Sequence, residues 1–488
     1  MAYSLINMKI YNSLNGKPEE LIISSDGKVK MYVCGLTPYD SAHIGHARTY
    51  VAFDVVKRFL IKNGHQVLHI QNITDVEDKI IKRCKETGAD PKTLTSEVHG
   101  EALELFDKLN IQRADVYPKV TDHIPQIISF IEKLMGKGSA YETSTGVYFD
   151  ISKFRDYGKL SGQDMEEIKA GSRKAVDETK EDPADFALWK KTDGEIIEFD
   201  SPWGRGRPGW HIECSALALR YAGETLDIHG GARDLIFPHH ENEIAQSEAA
   251  NGKQFCRFWM HTGFLSVHGE KMSKSLGNFV TLKQSLSMFS PNAIRMFFLQ
   301  AHYRSPVDYD EEMIEAAGES VERIFNSMGL IRELEEGRMD EEDPAFREES
   351  DRLIRKFHSA MENDFDTPEA LASLFGLLRL ANAHLEKSEV DSSQLGKIKK
   401  AIEDMIWIFG FIEVMPALEE KSPELLKLAR EFGIKENTSD KILGALIHLR
   451  EESRKRKEYA KSDLIRSKLD AIGISLEDKQ AGQRYKVK

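Results

Sequence analysis

Two pairs of side chains in this sequence have the type and spacing for phosphate chemistry. His43 and His46 lie three apart in His43-Ile44-Gly45-His46, and Lys271 and Lys274 lie three apart in Lys271-Met272-Ser273-Lys274-Ser275. Imidazole N–H groups donate to phosphoryl oxygens, and lysines add full positive charge. The histidine pair falls where a strand gives way to a helix. Lys28 to Val33 alternates and ends in an apolar run, and the chain breaks and turns from Gly35 to Asp40. Tyr50, Val51, Phe53, Val55, Val56, Phe59 and Leu60 then recur at helical spacing. Strand, loop and helix in that order form a nucleotide-binding α/β unit, whose helix N-terminus offers unpaired N–H groups to phosphate. His43 and His46 share a face there. Gly45, lacking a Cβ, lets a flat base lie against the backbone.

A second constellation has the chemistry of a metal site. His239 and Glu243 are four apart in a helical stretch and project from one side of it. Cys34 closes the first strand, and Cys214 follows a tryptophan-rich turn running from Trp203 to Trp210. Two sulfurs, one imidazole and one carboxylate suit zinc. Spacing alone does not bring the four together. Two buried cysteines and a solvated helix start fit the same pattern, and His240 is a rival ligand from the same turn. A third, weaker pattern is a strand from Leu226 to Ile228, a glycine turn at Gly230-Gly231, and Asp234 close behind. Glycines after a strand admit a ribose, and the carboxylate can bind its hydroxyls.

Certain elements must position these groups. Met8 to Tyr11 reads as a first strand with a turn at Asn15-Gly16. The helix after the histidine pair stops near Asn63-Gly64, and Gln66 to Ile70 is the next strand, giving a β-α-β unit with a right-handed crossover. Asn72-Ile73-Thr74-Asp75 opens another helix with Ile80 and Ile81 inward. From Tyr141 to about Asp200 the pattern changes, with a strand at Gly146 to Phe149 and a polar stretch from Lys169 to Asp185. This segment reads as an insertion splitting the nucleotide domain. Phe264 to Val267 is a strand ahead of the lysine loop. Pro291 to Leu299 and Glu311 to Leu334 read as helices, and helical periodicity from Asp351 to Phe411 makes a bundle. Lys441 to Arg450 and Lys455 to Leu469 are basic amphipathic helices.

The 488 residues, 41% hydrophobic and 30% charged, are those of a globular protein of about two to four domains. No apolar run is long enough to span a bilayer, and MAYSLINMKIYN is not a secretory leader. A cytoplasmic location with no membrane attachment is expected. Cys34, Cys84, Cys214 and Cys256 are widely spaced and read as free thiols or metal ligands, not a disulfide framework. The net charge of −13 is unevenly spread. Acidic residues concentrate from Glu333 to Asp351 around Gly337 and Pro344, as in an exposed connection. From Asp440 to Lys488, 13 Lys and Arg face 8 Asp and Glu, a local excess of five positive charges. Such a distribution allows a nucleic-acid partner despite the acidic total.

The histidine pair and lysine loop, in this order, resemble the HIGH and KMSKS signatures of class I aminoacyl-tRNA synthetases. The words MYVCGLTPYDSAHIGHART, NITDVEDKII, GRPGWHIECSA, DIHGGARDLIFPHHENEIAQSEA, EKMSKSLGNF and AHYRSPVDY resemble the cysteinyl-tRNA synthetase family, from about Met8 to the end of the chain. The resemblance implies an α/β fold: a Rossmann-type class I synthetase catalytic domain with an insertion, then a helical bundle and a small C-terminal anticodon-binding domain. The expected divisions are 1–120 and 201–310 for the two catalytic halves, 121–200 for the insertion, and 311–345 for stem-contact helices and a linker. The bundle takes 346–425 and the basic C-terminal domain 426–488.

The family likeness further implies one zinc per chain on Cys34, Cys214, His239 and Glu243, and Mg²⁺ accompanying ATP. It places substrate contacts at Gly35, Thr37, Thr74 and Trp210, and ATP contacts at His43, His46, Asp234 and Lys274. Catalytic roles fall to His43, His46, Lys271 and Lys274. The implied reaction joins L-cysteine to tRNA(Cys) through a cysteinyl-adenylate, in a monomer, with zinc selecting the thiol. The insertion is too short and too polar for a hydrolytic editing domain. Two departures stand out: Ala232 replaces a usual third glycine, and the end of the chain lacks a tryptophan expected near Tyr485. A ligase of mycothiol synthesis resembles only the catalytic half, so the long C-terminal part argues against that reading. A nucleotidyltransferase with the histidine motif would also lack the C-terminal parts. A non-catalytic tRNA-binding protein would have no use for both signatures.

Overall fold

A computed structural model describes residues 8–22, 27–163, 179–272, 277–333, 339–387, 389–413, 422–436, 438–479 and 482–487. It divides into two compact units, Met1–Phe411 and Ile412–Lys488. The first unit opens with a hairpin of β1 (Lys9–Asn12) and β2 (Lys17–Glu20), then the α/β unit of β3 (Lys28–Val33), α1 (Ile44–Lys62) and β4 (Gln66–Ile70). Three helices follow: α2 (Asp78–Thr87), α3 (Pro91–Lys108) and α4 (Ile124–Gly136). Next comes an antiparallel sheet of β5 (Ala140–Glu142), β6 (Gly146–Phe149), β7 (Phe186–Lys191) and β8 (Gly206–Pro208). The chain then returns through α5 (Trp210–Ala222), β9 (Leu226–Ala232), α6 (Glu241–Asn251) and β10 (Cys256–Thr262).

The central sheet is parallel with order β10-β9-β3-β4. β3 lies inside it, and Val29, Met31, Tyr32 and Val33 are buried, which is why that strand ends in an uninterrupted apolar run. The strand order brings the ends of β3, β9 and β10 side by side, where class α/β ligand sites form.

A smaller sheet follows, β11 (Leu265–Val267) between β12 (Glu270–Lys271) and β13 (Val307–Tyr309). Around it lie α7 (Leu282–Met288) and α8 (Pro291–Leu299). The helical region comprises α9 (Glu311–Glu333), α10 (Pro344–Glu362), α11 (Thr367–Leu385) and α12 (Ser392–Phe409), with β14 (Met339–Asp340) paired to β15 (Glu389–Val390). The second unit holds α13 (Ser422–Glu431), α14 (Ser439–Lys455), α15 (Tyr459–Ala471) and a hairpin of β16 (Ile474–Lys479) and β17 (Gly482–Val487). Its small core is Leu425, Ile442, Leu446, Ile465, Leu469 and Ile474.

Four local expectations change. Gly230 and Gly231 lie inside β9 and not in a turn after it. A Cβ on Gly230 would run into the Phe53 ring of α1, so glycine there serves close helix-to-sheet packing. The helix after Asn72 begins at Asp78, because Glu77 accepts from the Lys79 N–H and caps it. The acidic stretch is only partly a connection: Asp343 caps α10 and Pro344 is its first residue, so Glu348, Glu349 and Asp351 are helical. The terminal hairpin has no counterpart in the sequence reading. Its first strand, ISLEDK, buries Ile474 and Leu476 in the unit's core, but two alternating apolar residues ahead of Glu477-Asp478-Lys479 are too short a signal to read as a strand.

A buried charge cluster ties the helical region to α1. Asp54 accepts from Arg58 at 2.9 Å and from Arg295 at 2.6 Å. Arg295 also donates to the carbonyls of Phe409 (2.8 Å) and Leu109 (2.9 Å). Arg58 donates to the carbonyls of Trp407 (3.1 Å) and Asn110 (2.6 Å). Neither Asp54 nor Arg295 has exposed side-chain surface. Arg295→Met will destabilise the first unit by about 3–5 kcal/mol, since it strips a buried carboxylate of a partner and orphans two carbonyls. All five tryptophans precede Ile412, so denaturant titration followed by tryptophan fluorescence reads this unit alone.

Candidate active site

A cleft of about 640 Å³ opens where β3 and β9 end. Among the residues lining it are Cys34, Gly35, Thr37, His43, His46, Thr74, Trp210, Cys214, Asp234 and His239. Each of these is a site residue expected from the sequence, and they come from segments up to 205 positions apart. Glu243 is fully buried within contact distance of His239. Lys271 ends β12, its backbone paired with Ser266. Lys274 lies outside the described residues.

At the mouth, His43 caps α1. Its Nδ1 accepts from the His46 N–H at 3.2 Å, and His46 Nδ1 accepts from the His43 N–H at 3.3 Å. The two rings stack with centroids 3.5 Å apart. Because each Nδ1 receives a main-chain proton, a neutral ring must carry its own proton on Nε2. Burial, then the neighbouring His43, pushes the His46 pKa well below the ordinary value, so His46 is neutral at pH 7. His46 thus presents an oriented, uncharged N–H donor, and His43 an Nε2 aligned beside it by the stacked rings.

One wall is a hydrogen-bonded chain. The Gly35 N–H donates to Asn72 Oδ1 (2.9 Å), Asn72 Nδ2 donates to Thr74 Oγ1 (3.0 Å), and Thr74 Oγ1 donates to Glu213 Oε2 (3.1 Å). A Cβ on Gly35 would collide with the Asn72 carbonyl. Trp210, at the first turn of α5, stacks on His239 at 4.3 Å.

The floor collects titratable groups. Ligand atoms of Cys34, His239, His240 and Glu243 all lie within 4.8 Å of one another. Cys214 Sγ is 3.6 Å from His239 Nε2. Glu243 meets His239 Nε2 at 2.9 Å and His229 Nε2 at 2.7 Å, one through each carboxylate oxygen. Cys34 Sγ lies 3.2 Å from His240 Nε2. Behind these, His211 Nδ1 meets His239 Nδ1 at 3.0 Å, and a chain runs from His240 through His261 (2.8 Å) to Ser13 Oγ (2.8 Å). The mutually close group thus holds three of the four expected ligands with the rival His240, while the fourth, Cys214, joins it through His239. His211, His229 and His261 were not singled out as chemistry. Their only signal was residence at or beside the cleft ends of β9, β10 and α5.

The charge state of the floor follows from burial against pairing. The hydrogen bond from Cys34 outweighs burial and lowers Cys214 to about 6. Burial, then the hydrogen bond with Cys214, pushes Cys34 well above the ordinary thiol value. Burial opposes charge on His239, but Glu243 and Cys214 outweigh it and raise the ring to about 10. Burial would raise Glu243, but His229 and His239 hold it at about 2. Two sulfurs, imidazoles and a carboxylate, buried and oriented by outer hydrogen bonds, fit a soft divalent cation such as zinc. At pH 7 such an ion must displace the protons of Cys34 and His239. Zinc uptake will release about two protons per ion, and affinity will rise with pH over the neutral range. Calorimetry in buffers of different ionisation enthalpy measures that number.

Three comparisons bear on this site. Residues 21–319 match the family model for the tRNA synthetases class I (C) catalytic domain, and residues 356–413 match the DALR domain. The cysteine–tRNA ligase of Thermococcus onnurineus is 46% identical over 98% of this chain and 99% of its own length. That of Thermococcus gammatolerans is 47% identical over 98% and 99%. The structure of Mycobacterium tuberculosis methionyl-tRNA synthetase in complex with methionyl-adenylate aligns with a TM-score of 0.60 at 17% identity, covering 82% of this chain and 94% of that one. At that identity the likeness is one of fold.

Proposed function

This chain belongs to the cysteine–tRNA ligases, which are class I aminoacyl-tRNA synthetases, and from that premise we propose that it charges tRNA(Cys) in two steps through a cysteinyl-adenylate, with zinc selecting the cysteine thiol. The observation that carries the reading is the pairing within one cleft of a thiol-bearing, metal-competent floor with a mouth of two stacked imidazoles.

In the first step a carboxylate oxygen of cysteine attacks the α-phosphorus of ATP, the bond to the bridging oxygen breaks, and pyrophosphate leaves. The protein supplies position and charge neutralisation, not covalent chemistry. His43 and His46 donate to phosphoryl oxygens from the start of α1. Asp234 accepts from the ribose hydroxyls. Lys271 and Lys274 neutralise charge on the departing pyrophosphate, and ATP brings Mg²⁺. Gly35, Thr37, Thr74 and Trp210 frame the amino acid, with the Asn72–Thr74–Glu213 chain holding the wall in place. Cys34, Cys214, His239 and Glu243 would hold the zinc, and His240 would orient Cys34 from outside. When bound, the ion supplies a preference for thiolate over hydroxyl that a purely apolar pocket lacks. In the second step a hydroxyl of the 3′-terminal ribose of tRNA attacks the activated carbonyl, and AMP leaves.

The basic helices α14 and α15 are the anticodon platform in this reading, with salt-sensitive phosphate contacts. The test is cysteine-dependent ATP–pyrophosphate exchange followed by charging of tRNA(Cys). Exchange without cysteine, or no exchange by folded, zinc-loaded protein, rejects the proposal. Two further outcomes follow. Gly35→Ala will raise the KM for cysteine about tenfold or more and leave that for ATP within about twofold, because the displaced Asn72 no longer supports Thr74. A chain ending at Phe411 will retain exchange and lose charging by at least about a hundredfold, as the phosphate contacts go.

A further inference from the structure

We propose that Arg48 is a positioning residue for the nucleotide step: it holds the strands that lead into the lysine loop against the helix that carries the histidine pair. The inference rests on the ATP reading of the cleft. Arg48 lies two residues beyond His46 and is 4% exposed. Its guanidinium donates through Nη1 to the carbonyls of Gly263 (2.9 Å) and Phe264 (2.6 Å), and through Nη2 to that of Ser305. Among the described residues it pairs with no carboxylate. Burial pushes its pKa down to about 10, so it is a full charge at pH 7, neutralised only by carbonyl dipoles.

Those three carbonyls belong to two backbone segments that meet at the root of the smaller sheet. The Gly263 N–H donates to the Tyr303 carbonyl (2.9 Å), and the Val307 N–H donates to the Phe264 carbonyl (3.0 Å). A Cβ on Gly263 would strike the Arg304 and Ser305 carbonyls, so the two segments are in close contact. One continues into β11 and the other into β13. β11 pairs with β12, whose last residue is Lys271. Arg48 therefore grips the base of the sheet on which the lysine signature begins.

The far side of the signature is held differently. The Ile44 N–H donates to the Val280 carbonyl (3.1 Å), and the Leu282 N–H donates to the Ala42 carbonyl (2.8 Å). Main chain thus ties the exit to the start of α1. On the entry side, Thr49 meets Thr262 through hydroxyls at 3.0 Å, but the turn at Gly263-Phe264 is held to α1 by Arg48. Both sides of the signature refer back to the helix that bears His46, and beyond Thr262 the entry side does so, in the hydrogen bonds of the described residues, through Arg48. A guanidinium suits this task because its planar fork reaches two segments at once, whereas an ammonium is a single point.

Arg48→Lys keeps the charge and the aliphatic stem, so it is the variant to read first. It will raise the KM for ATP in pyrophosphate exchange about tenfold and lower kcat, with the KM for cysteine and the zinc content unchanged. Amide hydrogen exchange will speed at Leu265–Val267 and stay as in the wild type at Leu226–Ala232. Arg48→Gln, if it folds, will shift the same quantities further in the same direction. Wild-type kinetics in Arg48→Lys, or a parallel loss of both substrates' KM with unchanged amide exchange, overturns the inference. Absence of cysteine-dependent exchange in the wild type instead overturns the ATP reading, which keeps the two failures distinct.

Discussion

The constraint on which this structure depends is the burial of a carboxylate, Glu243, between two imidazoles, with two thiols alongside. Isolated charges in such a place are driven to neutralise, and unpaired polar groups are costly. The floor avoids this by mutual pairing: Glu243 takes His239 on one oxygen and His229 on the other, and Cys34 lies against His240. The partners arrive from several separate elements. Cys34 follows β3, Cys214 sits in α5, His229 in β9, His239 and His240 in the turn before α6, and Glu243 in its first turn. Only the parallel order β9-β3 brings these ends together, so the sheet topology and the metal-competent floor imply one another.

Helix α1 performs the complementary task at the mouth of the cleft. His43 and His46 face the cleft from its start. One turn on, Arg48 holds the root of the smaller sheet. Further along, Asp54 and Arg58 lock the loop after α3 and the end of α12. A single helix thereby connects the histidine pair, the strand leading to the lysine signature and the helical region matching the DALR model. Rigid support of this kind is what a reaction governed by positioning requires.

Much of this was legible in the sequence. The apolar end of Lys28 to Val33 and the helical spacing after Gly45 gave β3 and α1. Pro291 to Leu299 was found to the residue, because Ser290 caps it and Pro291 occupies its first position. The chemistry-bearing types at Cys34, His43, His46, Cys214, His239 and Glu243 stood out by spacing and by likeness to a family. What was not legible depended on contacts across the chain. Gly230 looked like turn punctuation until Phe53 of α1 was seen against it. His211, His229 and His261 carry no local signal, since a histidine in a strand or helix reads as core until its partners are known. The terminal hairpin offers only Ile474 and Leu476 in alternation ahead of the polar Glu477-Asp478-Lys479, too short a signal to read as a strand.

The central claim is that the floor of the cleft recognises a thiol through a bound zinc, and that this spares the enzyme an editing site. X-ray absorption at the zinc edge, on protein loaded with one equivalent of zinc, tests it most directly. The account predicts one additional sulfur neighbour at about 2.3 Å when cysteine is present, and none with serine. A sulfur count unchanged by cysteine would contradict direct metal recognition, even in an enzyme that still charges tRNA with cysteine.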